Sequence, residues 1–212
     1  MGDTGETTTD GQDGARAWPF PRLPQRVAPL GRDDRPERTE EMLRELRGDN
    51  PDGPDANLFA TFAHHPRLMK RWLGFGFMLL YKGELSDRDR ELLILRTAWN
   101  CQVLYEWAHH IPIAKEAGLG DAGIAHAAAG PDAPGLSADD AALLRAADEL
   151  LADKRISDAT WAVLSARYSE AQLIEVCMVV GHYQMLGMVV RSLGIAVEDD
   201  HADDDASETG TS

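Results

Sequence analysis

The sequence predicts an all-α protein, and three observations carry that reading. Apolar residues recur at spacings of three and four in segment after segment. No alternating apolar and polar run of convincing length occurs. Four serines, Ser86, Ser137, Ser157 and Ser169, each stand immediately before a first turn carrying an acid, as helix starts do. About seven to nine helices follow from this pattern.

In chain order, residues 1–17 are a Gly/Asp/Thr-rich acidic tail, with Asp3, Glu6, Asp10 and Asp13 against the single Arg16. Such a stretch has too little apolar surface to order itself, so it is predicted to be disordered. Residues 18–36, WPFPRLPQRVAPLGRDDRP, hold five prolines among Trp18, Phe20, Leu23 and Val27. That composition predicts an extended arm lying across a neighbouring surface, because proline cannot serve a helix interior.

The all-α domain is expected over residues 37–198. ERTEEMLRELRG places Met42, Leu43 and Leu46 on one side and stops at Gly48, and NPDGPDA is a loop. The next stretch, through WLGFGFMLLY, reads as two helices broken near Pro66, with His64 and His65 as helix-end residues. Ser86 then caps RELLILRTAW, with Leu92, Leu95 and Trp99 toward the core. A break near Asn100 precedes a helix ending at Gly118, and a Gly/Pro/Ala loop covers about residues 128–136. Helices from Ser137, Ser157 and Ser169 complete the domain. Residues 199–212, rich in Asp and Ser, are a second acidic tail predicted to be disordered. The segments GELSDRDRELLILRTAW and RYSEAQLIEVCMVVGHY echo each other, each running from Ser through an acidic turn to Glu91 or Glu175, which suggests a duplicated helical unit.

Formal net charge is −15, and much of the excess lies in the two tails. The shortage of Lys and Arg argues against nucleic acid and against anionic membrane as partners. No run of about 18 apolar residues occurs, and the first residues lack the basic and apolar regions of a secretory signal, so a soluble, cytoplasmic protein is expected. Cys101 and Cys177 are far apart and form no C-x-x-C, which indicates a reducing compartment and no disulfide framework.

The chemistry concentrates in WNCQVLYEWAHHIPIAKEAG, residues 99–118. Glu106 and His110 stand four apart on a helix and share a face, and a carboxylate beside an imidazole orients it and raises its basicity. Acid–base work and an ordinary wet helix face both fit that spacing. His109 diverges from His110 by about 100°, so one helix cannot aim both at one ion, and no H-E-x-x-H is present; no metal is expected. Cys101 would point away from both unless the chain breaks after it, in which case a thiol in the first turn of a helix would have a lowered pKa. Pro112 is expected to kink this helix by removing a bond to Ala108. His182 in VVGHYQMLGMVV is expected to be a buried, hydrogen-bonded core residue.

RELLILRTAWNCQVLYEWAHHIPIAKEAGL resembles the core motif of the carboxymuconolactone decarboxylase family, the superfamily that includes alkylhydroperoxidase D, and the likeness extends over about residues 56–197. The resemblance implies an all-α fold, assembly into homo-oligomers (trimers or hexamers), and a small-molecule substrate. In the peroxidase branch a glutamate, a C-x-x-C pair and a histidine form the site. Matched position by position, Glu91 stands for the glutamate and His110 for the histidine, while Val103 and Glu106 occupy the two cysteine positions. Thiol peroxidation needs an attacking and a resolving thiol, and Cys101 lies two positions out of register. The remaining set, Glu91, Glu106 and His110, implies cofactor-free acid–base chemistry of a decarboxylase, lyase or isomerase type. The alternatives are an alkylhydroperoxidase-like thiol oxidoreductase (peroxiredoxin-type activity) using Cys101, and a non-catalytic oligomer. Arg96 is expected either to anchor a substrate carboxylate or to form a structural ion pair.

Overall fold

The structure is a computed structural model describing residues 18–198; both acidic tails lie outside the described residues. It is all-helical, with no strand among those residues. The helices are α1 (Glu37–Leu46), α2 (Asn57–Phe62), α3 (Pro66–Tyr81), α4 (Asp87–Asn100), α5 (Leu104–Glu116), α6 (Gly120–Ala129), α7 (Ala138–Asp153), α8 (Asp158–Arg167) and α9 (Glu170–Leu193).

Four of them start on the serines. The hydroxyls of Ser86, Ser137, Ser157 and Ser169 accept from the backbone N–H of Asp89, Asp140, Thr160 and Gln172 respectively. At Ser169 the Gln172 side chain also accepts from the Ser169 backbone N–H, completing a capping box. Helix α3 starts on Pro66, whose missing N–H costs nothing there, and His65 Nδ1 accepts from Leu68 N. Helix α6 falls where the sequence shows little signal: GDAGIAHAAA has two glycines and no side-chain cap, and tertiary packing of Ile124, Ala127 and Ala128 supplies what propensity does not.

Helix α4 is the centre of the molecule. It packs against α5, α6, α7 and α9, and Leu92 through Leu95 are buried on every side of it. A helix enclosed this way has no wet face, so its charged side chains must find partners inside. Asp89 accepts from Tyr168 Oη and pairs with Arg167, at 2.8 and 2.9 Å.

The Pro-rich segment is extended apart from a 3-10 turn, Arg32–Asp34. Its Trp18 and Phe20 join Trp99 and Trp107 in an aromatic cluster with centroids 5.0 to 6.0 Å apart. Arg26 N donates to Leu193 O, and Leu30 N to Ala60 O, so the arm ties α9 to α2. Gly194 ends α9 with φ 68°, a left-handed cap, and Pro24 lies so close that no side chain fits there. Helix α9 is the one described helix long and apolar enough to span a membrane by length, and half of that stretch is buried, as in a core helix.

The break between α4 and α5 falls just past the expected place. Cys101 caps the C-terminus of α4, Gln102 takes φ 56°, and α5 starts after Val103. Pro112 lies inside α5, which continues as one helix to Glu116. Pro112 is exposed and Ala108 half-buried, so the carbonyl left without its helical bond is near solvent.

Candidate functional site

Helices α4 and α5 bring Glu91, Glu106 and His110 together. Glu91 faces His110 from the central helix, and His110 Nδ1–H donates to Glu91 Oε2 at 2.7 Å. That bond leaves Nε2 directed at Glu106 Oε2, 3.5 Å away, one turn earlier on α5. All three are interior: Glu91 is 0%, Glu106 4% and His110 6% exposed. Arg90 secures Glu91 from the other side, with Nε 3.1 Å from Oε1, and itself reaches Asp87. Removal from water works against a charged imidazole, but the carboxylates of Glu106 and Glu91 outweigh it and push the His110 pKa up to about 9. At neutral pH the group is an imidazolium between two acids.

The second oxygen of Glu106, Oε1, is buried and has no hydrogen-bond partner. Next to the cluster, the ring of Tyr183 on α9 stands edge-on to His110 at 5.1 Å. His182 stands edge-on to the same tyrosine at 5.2 Å and parallel to Trp72 at 5.9 Å. The expectation that His182 is hydrogen-bonded needs correction: Nδ1 is buried without a partner. Aromatic neighbours on α3 surround it in place of polar ones, and burial lowers its pKa. Sequence reasoning missed Arg90, Trp72, Tyr183 and this role of His182, because each reaches the site from an element whose placement is set by packing.

Arg96 lies elsewhere. Its guanidinium donates to both oxygens of Asp148 at 2.6 and 2.8 Å and to the carbonyls of Ala127 and Ala128 at the end of α6. Five residues after Glu91 on a helix is a turn of about 140°, so the structural ion pair replaces the substrate anchor. His109 also departs from His110: Nδ1 meets Tyr105 O at 2.8 Å and Nε2 meets Glu198 Oε2 at 2.9 Å. Glu198 additionally accepts from Tyr105 Oη and Asn57 N. Burial opposes its charge, but the bonds from His109 and the Asn57 N–H hold its pKa down near 2.

Cys101 occupies the negative end of the α4 dipole, not a helix start, so the condition for a lowered pKa is not met. Burial pushes its thiol up, and Cys177 likewise, with Arg191 and Lys154 only partly offsetting the effect at Cys101. The two units that echo in sequence also diverge here. Glu91 binds His110, whereas Glu175 accepts from the backbone N–H groups of Glu84 and Leu85 and anchors the loop before α4. A separate cleft of about 600 Å³ runs between the arm and the C-terminal part of α9, lined by Arg22, Val103, Tyr105 and Arg191, and includes none of the cluster residues. Among the described residues no group of three or more His, Cys, Asp or Glu is arranged to hold a metal ion.

The model of the carboxymuconolactone decarboxylase family matches residues 66–149, which include Glu91, Glu106 and His110. An uncharacterised peroxidase-related protein from Ralstonia eutropha JMP134, described as an alkylhydroperoxidase AhpD core, is similar in structure with a TM-score of 0.70 at 17% identity, over 82% of this chain and 94% of that one. A peroxidase-related protein from Silicibacter sp. TM1040 gives 0.68 at 15% identity, over 91% and 98%. The debrominase Bmp8, in complex with 2,3,4-tribromopyrrole, gives 0.66 at 17% identity, over 88% and 99%. At such identities the likeness speaks for the fold. No curated protein matches the chain.

Proposed function

We propose that the chain, whose residues 66–149 match the model of the carboxymuconolactone decarboxylase family, uses Glu91, His110 and Glu106 as an acid–base site acting, with no cofactor, on a small carbonyl- or carboxyl-bearing metabolite. The reaction type is decarboxylation, elimination or isomerisation. One observation carries this reading: a buried imidazole is pinned through Nδ1 by one carboxylate and faces through Nε2 a second whose outer oxygen has no partner. Glu91 sets the orientation of the ring. Glu106 touches the substrate through Oε1, and His110 holds the proton behind it.

The step balances without an external reagent. Glu106 takes a proton from carbon next to a carbonyl while the C–H electron pair moves into an enolate; returning the proton to another carbon isomerises the substrate. In decarboxylation the C–C pair left by departing CO2 takes the proton that His110 Nε2 passes on through Glu106, and the neutral imidazole regains a proton from solvent water. Such a positioned acid–base pair contributes about 10²- to 10⁴-fold. The raised pKa of both thiols favours this reading over a peroxiredoxin-type cycle through Cys101. Exposed apolar side chains on α9 (Ile174, Met178, Met185, Met188) and α3 (Met78, Tyr81) support self-association into a trimer or hexamer.

The test is deuterium exchange of C–H protons next to carbonyl groups, followed by NMR over a panel of small keto acids, ketones and lactones. Wild-type protein is expected to catalyse exchange in at least one class, and Glu106→Gln and His110→Ala each to lower the rate at least about 100-fold. Exchange that survives both variants would remove the reading. Turnover abolished by Cys101→Ser would put the thiol chemistry in its place.

A further inference from the structure

Among the described residues, four buried polar atoms lack a hydrogen-bond partner: Thr61 Oγ1, Trp72 Nε1, Glu106 Oε1 and His182 Nδ1. Buried polar groups are nearly always paired, and an unpaired group in a folded protein calls for a specific reason. Three of the four stand along one continuous run of side chains. Glu106 touches His110, His110 stands edge-on to Tyr183, Tyr183 edge-on to His182, and His182 lies parallel to Trp72 with an interplanar angle of 9°. Phe62, 4.8 Å from Trp72, and Phe75, 5.3 Å from His182, continue the aromatic wall.

The wall is built to close tolerance. A Cβ on Gly76 of α3 would stand 3.3 Å from His182 Nε2, so glycine at that position lets the imidazole lie against the helix. His182 is 5% exposed. The unpartnered atoms also differ usefully in kind. Glu106 Oε1 is an acceptor when ionised, Trp72 Nε1–H can only donate, and a neutral imidazole nitrogen does either according to its tautomer.

We propose that Glu106 Oε1, His182 Nδ1 and Trp72 Nε1 form the recognition wall of the acid–base site, which takes a small, flat, uncharged molecule. An O–H or N–H of that molecule donates to Glu106, its ring lies against the aromatic side chains, and its remaining polar group meets His182 and Trp72. This rests on the acid–base reading of Glu106 and narrows its substrate class. The positive charges of Arg90 and His110 already face Glu91 and Glu106. A ligand carboxylate would bring an uncompensated charge against the outer oxygen of Glu106, so the class narrows from carboxyl-bearing to carbonyl- or hydroxyl-bearing molecules.

The probe is 3-hydroxyacetophenone at pH 7, compared by calorimetry with acetophenone, which lacks the donor, and 3-hydroxybenzoate, which adds a negative charge. The hydroxyketone is expected to bind about tenfold more tightly than either comparator and to shift the ring nitrogen resonances of His182. His182→Phe should weaken it about tenfold, while His182→Asn, which keeps a polar atom near the place of Nδ1, should stay within about threefold. Equal affinity for the three probes, tighter binding of the benzoate, no binding at millimolar concentration, or unchanged affinity in His182→Phe would each overturn the proposal. Should His182→Phe fail to fold, the wild-type nitrogen shifts decide, and binding without them counts against the wall. Selective binding in a protein that shows no proton exchange would remove the acid–base reading and leave the recognition wall standing.

Discussion

His110 and His182 lie edge-on to the same ring, Tyr183, at nearly equal distances, and both are more than nine-tenths buried. Burial pulls the pKa of each downward. At His110 two carboxylates reverse the sign and carry the value to about 9, whereas at His182 the distant charge of Glu106 does not overcome the aromatic surroundings. Depth therefore does not set the charge of a histidine; the partners of its two nitrogens do. One histidine is equipped to hold a proton, and its neighbour to stay neutral and offer a nitrogen.

The largest expected break in this contrast is Glu91→Leu. Removing this acid takes a buried carboxylate from both Arg90 and His110, leaving Arg90 with exposed Asp87 and His110 with Glu106 alone, and a loss of about 3 to 5 kcal/mol in urea unfolding is expected. His182→Phe removes no paired charge, so its cost should be about 1 kcal/mol or less. Comparable losses in the two variants would show that the carboxylates do not distinguish the histidines.

Next in size is the pH dependence of stability. His110 has a folded pKa raised above its unfolded value of about 6.5, so its contribution is complete below about 6.5 and is lost as pH rises through about 9. The lowered pKa of His182 acts in reverse, with a contribution present above about 6.5 and lost as pH falls below it. Glu198, held near 2 by His109 and the Asn57 N–H against the pull of burial, adds stability above about 4.5 that disappears as pH falls through about 2. Melting temperature should thus fall on the alkaline side in wild type, and this limb should flatten in His110→Ala. An alkaline limb unchanged by that substitution would contradict a His110 pKa near 9.

The smallest expected effect belongs to Cys101→Ser. The thiol is protonated and half-buried at a helix C-terminus, so stability should change by about 0.5 kcal/mol or less, and labelling by a thiol reagent at pH 7 should be slow in wild type. Rapid labelling of Cys101 would revive the redox alternative.

Much of the fold is readable because its signals are local. Ser86, Ser137, Ser157 and Ser169 cap the helices they precede, and Pro66 begins α3, since capping and proline geometry act within four residues. The Glu106–His110 contact is legible for the same reason, being one turn of one helix. Glu91 entered only through resemblance, because no spacing within a helix links residues 91 and 110. Helix α6, with weak local signals, depended on packing.

By itself, then, the sequence determined an all-α chain, the starts of its principal helices, and a glutamate and histidine on one face of α5. Only the tertiary structure decided which charges meet. It turned Arg96 to Asp148 and Glu175 to the loop before α4, gave His110 its second carboxylate from the central helix, and set His182 among aromatic rings with a nitrogen unpaired. Helix periodicity is written in neighbouring residues, but the electrostatic state of a buried group depends on atoms brought by other helices, which no local pattern records.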